Sequence, residues 1–533
     1  MPTVKVDTMS FRIYTSLSSV VAAACLLTFY ACDPERVETP PLGVTEDSYF
    51  STELEFERAL FNAYAKMTDW YWFGGGSTAT PNMAPVFHLM GDDITEASGP
   101  YGRWELFSGI SPSDGRVAYM WEKTYELLQR SNLVIQKTEQ AEPENFDDPS
   151  FLEVHRGEAL FLRSLANFML FNLYGTAPNI NERLTSENTD QPRSQGVDLL
   201  DQIVTDLQTA APLLPESWEA RDLGRVNRPA AYGLLTKALV FRGNYTGNTA
   251  DYSAAVEAFK NIEGRELTPN YTDNFNALTE NNSESLFEFQ ASAAPKGDNP
   301  WLYNDGAWRG VESMSTFWGF YTVEPTAARN NLVGTPWRVT EKIFNAYGSD
   351  PRIAYFTEDD RSFTKYGKAG LEVLTQSGRP ASQNNVRILR YADAMLLAAE
   401  GMVRSGGNLP EAIELVNRLR ERASNWATSD TITDVTLPEA YDTAESDPAV
   451  VLEWIRAERI IELCGEKEKR WFDLKRYDAA GDLSLQNWDG SDAYFSSDLS
   501  AEFQFEYPKN LVLPIPQAEI DRNSAISENN PGY

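Results

Sequence analysis

Two histidines, His88 and His155, supply every imidazole in 533 residues. A two- or three-histidine metal site, or a Ser-His-Asp triad, needs a positioned imidazole, and neither histidine sits in an HExxH or GxSxG setting. His155 opens an amphipathic stretch, where capping or packing accounts for it. Glycoside hydrolysis needs only two carboxylates across a glycosidic bond, and Asp92-Asp93 stands in an aromatic loop segment. Adjacent residues of an extended chain point to opposite sides, so that pair alone does not make the geometry. Glu458 and Glu462, four apart on an expected helix with Arg456 and Arg459, meet on one face and repel unless a cation joins them. They read as a salt-bridge network pinning two consecutive helices, with Arg470, Lys475 and Arg476 following. Gly74-Gly75-Gly76 lacks the strand-loop-helix context of a phosphate or dinucleotide site. These residues describe a protein that binds rather than catalyses, without a cofactor.

Helical periodicity supplies the elements that position such a binding surface. Phe161, Leu162, Leu165, Phe168, Met169 and Leu173 form an apolar stripe at three- and four-residue steps, ended by Gly175 and Pro178. Leu234, Leu235, Ala238 and Phe241 make a second stripe closed by Gly243, and Tyr252, Ala255 and Phe259 a third, running to Gly264. The short RGNYTGNTAD connection between them suggests a helical hairpin, and its Ala255-x3-Phe259 step resembles the second helix of a tetratricopeptide unit. Tyr391, Met395, Ala398 and Met402, then Ala412, Leu415, Val416 and Leu419 beyond SGGNLP, repeat the pattern. Val450, Trp454, Ala457, Ile461 and Cys464 give a further apolar face, which makes Cys464 a buried thiol. Three stretches rich in Gly, Asn, Ser and aromatics interrupt the helices, about 66–110, 265–385 and 478–512. Loops of that length are commonly functional. The expected architecture is a helical scaffold decorated on one side by irregular, aromatic-rich insertions.

Charge narrows the partners. With 78 acidic residues against 46 basic ones, the net charge of -32 repels phosphate backbones and excludes nucleic acid. At the N-terminus, Arg12 precedes an uncharged run from Ile13 to Ala31, the pattern of a signal peptide. The run stops at Ala31-Cys32, followed by the acidic, Pro-rich CDPERVETPPLG. A small residue before Cys at that place resembles a bacterial lipoprotein processing site. Phe29 and Tyr30 depart from the usual Leu and small residue, and Cys25 after Ala22-Ala23-Ala24 competes, but Cys32 leaves a full apolar segment upstream. Lipidation of Cys32 would hold the mature chain on a membrane.

Several segments taken in order carry a wider resemblance: Trp121-x3-Tyr125-x4-Arg130-Ser-Asn132, GEALFLRSLANFMLFNLYGTAP from Gly157, GRVNRPAAYGLLTKALVFRG from Gly224, and LRYADAMLLAAE from Leu389. NRLRERA from Asn417, AERIIELCGEKEKRWFDLKR from Ala457 and the closing LPIPQAEIDRNSAISENNPGY complete the set. Together they resemble the SusD/RagB family, the starch-utilisation-type outer-membrane lipoproteins of Bacteroidetes. The resemblance implies residues 1–31 as signal peptide, 32–48 as tether and 49–533 as one SusD-like helical domain with the three insertions. It further implies a mainly α fold, a tetratricopeptide-like helical scaffold with an irregular, loop-rich ligand-binding subdomain, and a non-catalytic capture protein at the outer membrane, lipid-anchored and facing the exterior. Its partner would be a TonB-dependent, SusC-like transporter that receives oligosaccharide, with peptide as the alternative cargo; a purely structural, non-binding scaffold is the alternative from another class of function. Arg163, Arg390 and Asp473 are expected to anchor helices through ion pairs.

A glycan site needs flat aromatic platforms ringed by hydrogen-bonding groups. The insertions offer Trp70 and Trp72; Asp92, Asp93 and Trp104; and Trp301, Tyr303, Asn304, Trp308, Arg309 and Trp318. In the starch-binding relative, aromatics of the early and middle insertions meet in one arc, which aligns Trp104 with the first and Trp301, Trp308 or Trp318 with the second. Each Trp could instead pack its loop against the scaffold. The acidic surface favours neutral glycan over sulfated or uronic-acid-rich glycan.

Overall fold

The computed structural model describes residues 49–71, 83–96, 101–291, 303–304, 307–308, 337–356, 361, 365–366, 384–426, 436–488 and 502–533. The chain divides into two units, Met1–Ser51 and Thr52–Tyr533. Cys32 and the tether lie outside the described residues, and the helices and strands from Glu53 onward belong to the second unit.

A capping box opens α1 (Glu53–Ala65): the Thr52 N–H donates to Glu55 Oε2 over 3.0 Å. The early insertion contains α2 (Thr68–Tyr71), α3 (Ala84–His88), β1 (Ile94–Thr95) and α4 (Gly102–Glu105). Five helices then pack each on the next, α5 (Gly115–Gln140), α6 (Ser150–Tyr174), α7 (Asp198–Leu213), α8 (Arg228–Thr246) and α9 (Thr249–Lys260). The middle insertion carries β2 (Ser285–Phe289), β3 (Tyr303–Asn304), β4 (Ala307–Trp308), β5 (Arg338–Val339), α10 (Glu341–Tyr347) and β6 (Val386–Arg390). The stack resumes with α11 (Tyr391–Arg404), which packs on α9, followed by α12 (Leu409–Trp426), α13 (Pro448–Leu463), α14 (Lys469–Ala480) and α15 (Gln517–Arg522). Strands occur only as short antiparallel pairs among the described residues, β1–β5, β2–β6 and β3–β4. The fold is mainly α, with tandem helix pairs forming the tetratricopeptide-like scaffold.

Helix α6 is buried on all sides from Gly157 to Tyr174, not along one stripe, because α5, α7 and α1 pack around it. Each large apolar side chain so covered contributes about 1.5–3 kcal/mol. Arg163, a charged residue on this stretch, is matched: it donates from Nε and Nη2 to the two carboxylate oxygens of Asp206, at 2.8 and 2.7 Å.

Two sequence expectations need correction. Gly243 does not close α8, which continues to Thr246 and is capped by left-handed Gly247 at φ 71°. Gly243 serves close approach instead, since a Cβ there would lie 2.7 Å from the Tyr252 ring. On α13 the buried face is Val451, Ile455, Glu458, Arg459, Ile461, Glu462 and Leu463, so the expected Ile461 is inside while Ala457 is exposed. Charged residues take the inward positions because their partners are inside. Arg352 Nη1 reaches Glu458 at 2.6 Å and Glu462 at 2.8 Å, the cation that this i,i+4 pair requires. Arg390 and Arg422 also bind Glu462, at 2.8 and 2.6 Å. Asp473 accepts from Arg459 and Arg476.

Candidate ligand-binding face

The insertions are rooted around one short segment, Lys467 to Trp471, at the start of α14. Lys467 places its Nζ 3.3 Å from the Tyr71 ring centroid and 4.0 Å from that of Phe87, beside Glu468 at 2.7 Å. Burial lowers this ammonium to about 7. Tyr71 is the last described residue before 72–82, and it stacks on Phe289 with centroids 5.4 Å apart and planes at 27°. Phe289 ends β2, whose register with β6 pairs it with Val386. The Ala291 N–H donates to Asn385 Oδ1 at 2.7 Å, so the chain leaves at 292 beside the point where it returns at 384.

The second root is β1 on β5, Ile94 opposite Val339 and Thr95 opposite Arg338. This pair joins the end of the early insertion to residues that follow 311–336. Glu96 is tied to the start of α4: its N–H donates to Glu105 Oε2 at 3.0 Å and its Oε2 accepts from the Tyr101 N–H at 2.7 Å. Burial pushes the Glu96 carboxyl up to about 8. His88 lies 5.8 Å from Trp337, and burial, then Lys467, lower it to about 3, so it is a neutral packing residue. The third root is aromatic. Trp488, Phe503 and Phe505 surround Phe107 at 5.8, 5.7 and 5.0 Å, Trp471 stacks on Trp488, and the Gln504 N–H donates to the Leu106 carbonyl at 2.9 Å. Segment 489–501 leaves from this cluster.

The sequence-derived candidates divide accordingly. Trp70 and Trp104 have 0% exposure and present no ring face, a correction to their reading as platforms. Asp92 and Asp93 are also corrected, from ligand groups to brackets. Asp92 is paired with Arg470 and, at 2.8 Å, with Lys342; burial opposes its charge, but those cations hold it below the usual carboxylate range. Asp93 accepts from the Gly465 N–H at 3.2 Å, and burial, then Asp92, push it up to about 7. In β3–β4, Tyr303 pairs in register with Trp308 and Asn304 with Ala307. Trp72, Trp301, Arg309 and Trp318 lie outside the described residues.

Sequence reasoning missed Lys467 as the hub. Its only local signal is the alternation of acidic and basic residues before Trp471-Phe472 in GEKEKRWF, and its aromatic partners are hundreds of residues away. Among the described residues, no group of three or more His, Cys, Asp or Glu could hold a metal ion, and no helix is long and apolar enough to cross a membrane.

Tandem helix pairs that hold converging insertions define a helical binding scaffold. The chain belongs to the SusD family, whose profile matches residues 253–533, while one described as starch-binding and associating with the outer membrane matches 42–239. It is therefore a non-catalytic binding protein of the outer membrane. SusD-like protein P2 of Formosa agariphila is 26% identical, covering 95% of this chain and 98% of its own. The structure of a SusD homologue from Bacteroides thetaiotaomicron superposes with a TM-score of 0.71 at 19% identity, over 92% of this chain and 99% of its own. Surface glycan-binding protein A of Bacteroides fluxus gives 0.70 at 20%, over 91% and 100%.

Proposed function

We propose that this protein captures a neutral oligosaccharide at the cell surface and passes it to a SusC-like, TonB-dependent transporter, tethered outward by lipid on Cys32. The observation that supports the reading is that described residues at the roots of the three insertions gather around Lys467–Trp471; in this reading the aromatics beyond those roots share one face. With the buried residues removed, the platform candidates are Trp72, Trp301, Trp308 and Trp318, with Tyr303, Asn304 and Arg309 as hydrogen-bonding neighbours. Tyr303 and Trp308 stand directly opposite in their hairpin. A relative of the same fold is named a surface glycan-binding protein, and the net charge of -32 disfavours polyanionic glycans. Screening the soluble chain from Asp33 onward on an array of neutral glycans, beside a peptide library, tests this. Retention of at least one oligosaccharide is expected; retention of peptides alone would overturn it in favour of peptide cargo.

A further inference from the structure

We propose that Asn385 is a positioning residue for ligand capture: it clasps the neck of the middle insertion and fixes where the segment 292–336 begins. That segment carries Trp301, Tyr303, Asn304, Trp308, Arg309 and Trp318, so the consequence for capture rests on the glycan-binding function proposed above. At its far end the segment runs into β5, which β1 holds through Val339 and Arg338. At its near end the β2–β6 register stops with Phe289 opposite Val386. Side chains take over from there.

Asn385 is 1% exposed and uses every polar atom it has. Its Oδ1 accepts from the Ala291 N–H at 2.7 Å, and its Nδ2 donates to Glu288 Oε2 at 2.8 Å and to Gln290 Oε1 at 3.1 Å. Its own N–H donates to Glu280 Oε1 at 2.6 Å, and its carbonyl accepts from Arg387 Nη1 at 2.7 Å. One residue of the returning chain thus binds three of the departing chain. The site asks for an acceptor and two donors at one point, which a carboxamide supplies.

The partners are themselves fixed to the scaffold. Asn281 and Gln290 exchange amide hydrogen bonds at 2.9 and 3.0 Å, and the Asn281 N–H donates to Glu288 Oε1 at 3.2 Å. Asn281 holds a left-handed backbone at φ 51°, which Asn adopts more readily than most residues. Gln290 lies against Gly224, where a Cβ would come 2.5 Å from its Cδ. The neck is keyed to the loop that leads into α8.

The surroundings give Asn385→Asp a distinctive signature. Glu280 and Glu288 flank the clasp, Arg387 Nε lies 3.3 Å from Glu288 Oε1, and Arg265 acts on the same carboxylate. Burial already pushes Glu280 up to about 7, against the pull of the Asn385 N–H and Arg387. A carboxyl introduced beside these two titrates high as well. Protonated, it still accepts from Ala291 and donates to Glu288; ionised, it turns a negative oxygen on Glu288. The clasp of this variant is intact at acid pH and lost as pH rises.

The test pairs hydrogen exchange read by mass spectrometry, corrected for the intrinsic effect of pH, with calorimetric titration of maltoheptaose, laminarihexaose and xylohexaose. Exchange is followed in peptides ending at Ala291 and starting at Asn385, where local opening shows directly. At pH 5, Asn385→Asp should match the wild type. At pH 8 it should lose at least tenfold in protection and in affinity for whichever saccharide the wild type binds, while Asn385→Ala should lose both at either pH. Unchanged protection in Asn385→Ala, or an Asn385→Asp deficit equal at the two pH values, would overturn the clasp. Lost protection with undiminished affinity would overturn the positioning role. A wild type that binds none of the three saccharides, with exchange as expected, would count against the glycan reading and leave the clasp standing.

Discussion

Tyr71 stacks on Phe289 across 5.4 Å, and this contact ties the root of the early insertion to that of the middle one. The Tyr71 hydroxyl is buried and has no hydrogen-bond partner among the described residues, so the ring, not the oxygen, makes the tie. Tyr71→Phe should keep stability and ligand affinity or improve them. Tyr71→Ala should cost about 3–5 kcal/mol in denaturant unfolding and weaken ligand binding. Equal losses in both variants would contradict the assignment.

Glu462 gathers Arg352, Arg390 and Arg422 in the interior. Removing its charge leaves three buried guanidinium groups short of a counterion. Glu462→Gln should therefore lower unfolding free energy by about 3–5 kcal/mol, while Glu453→Gln, whose side chain is 80% exposed on the same helix, should leave it unchanged.

Asp93 gives a pH dependence. Its carboxyl titrates at about 7 in the folded chain, raised by burial and then by Asp92, against about 4 when unfolded. Its contribution to stability is full below the unfolded value and is lost as pH rises through about 7. Asp93→Asn keeps an acceptor for the Gly465 N–H and removes the charge. Its advantage over the wild type should grow by about 2.6 kcal/mol between pH 5 and pH 8, read by urea unfolding at both. A pH-independent difference would refute this.

The anchor makes a separate prediction. Cys32→Ala should abolish incorporation of labelled palmitate and release the protein from the membrane fraction, whereas Cys25→Ala should retain both. The reverse pattern would move the lipid to Cys25.

The helices were legible because the apolar spacing around Phe161, Leu234 and Met395 is local, and so were stops such as Gly175. The need for a cation between Glu458 and Glu462 was legible too, but its source was not. Arg352 comes from a 3-10 turn in the middle insertion, and no helical spacing points to it. The inward face of α13 was read correctly at Ile461 but not at Ala457, since apolar counting discounts charges that are paired inside. Trp70, Trp104 and Asp92 show the limit at the site. An insertion that grips a scaffold and one that grips a sugar draw on the same aromatics and carboxylates, and only burial separates them.

The central claim is tested most directly by isothermal titration of the soluble chain, wild type against the combined Trp301→Ala, Trp308→Ala and Trp318→Ala variant, with an oligosaccharide retained on the array. The expected result is saturable binding by the wild type and at least a hundredfold loss in the variant, with the melting temperature unchanged. Undiminished affinity in the variant would contradict the account.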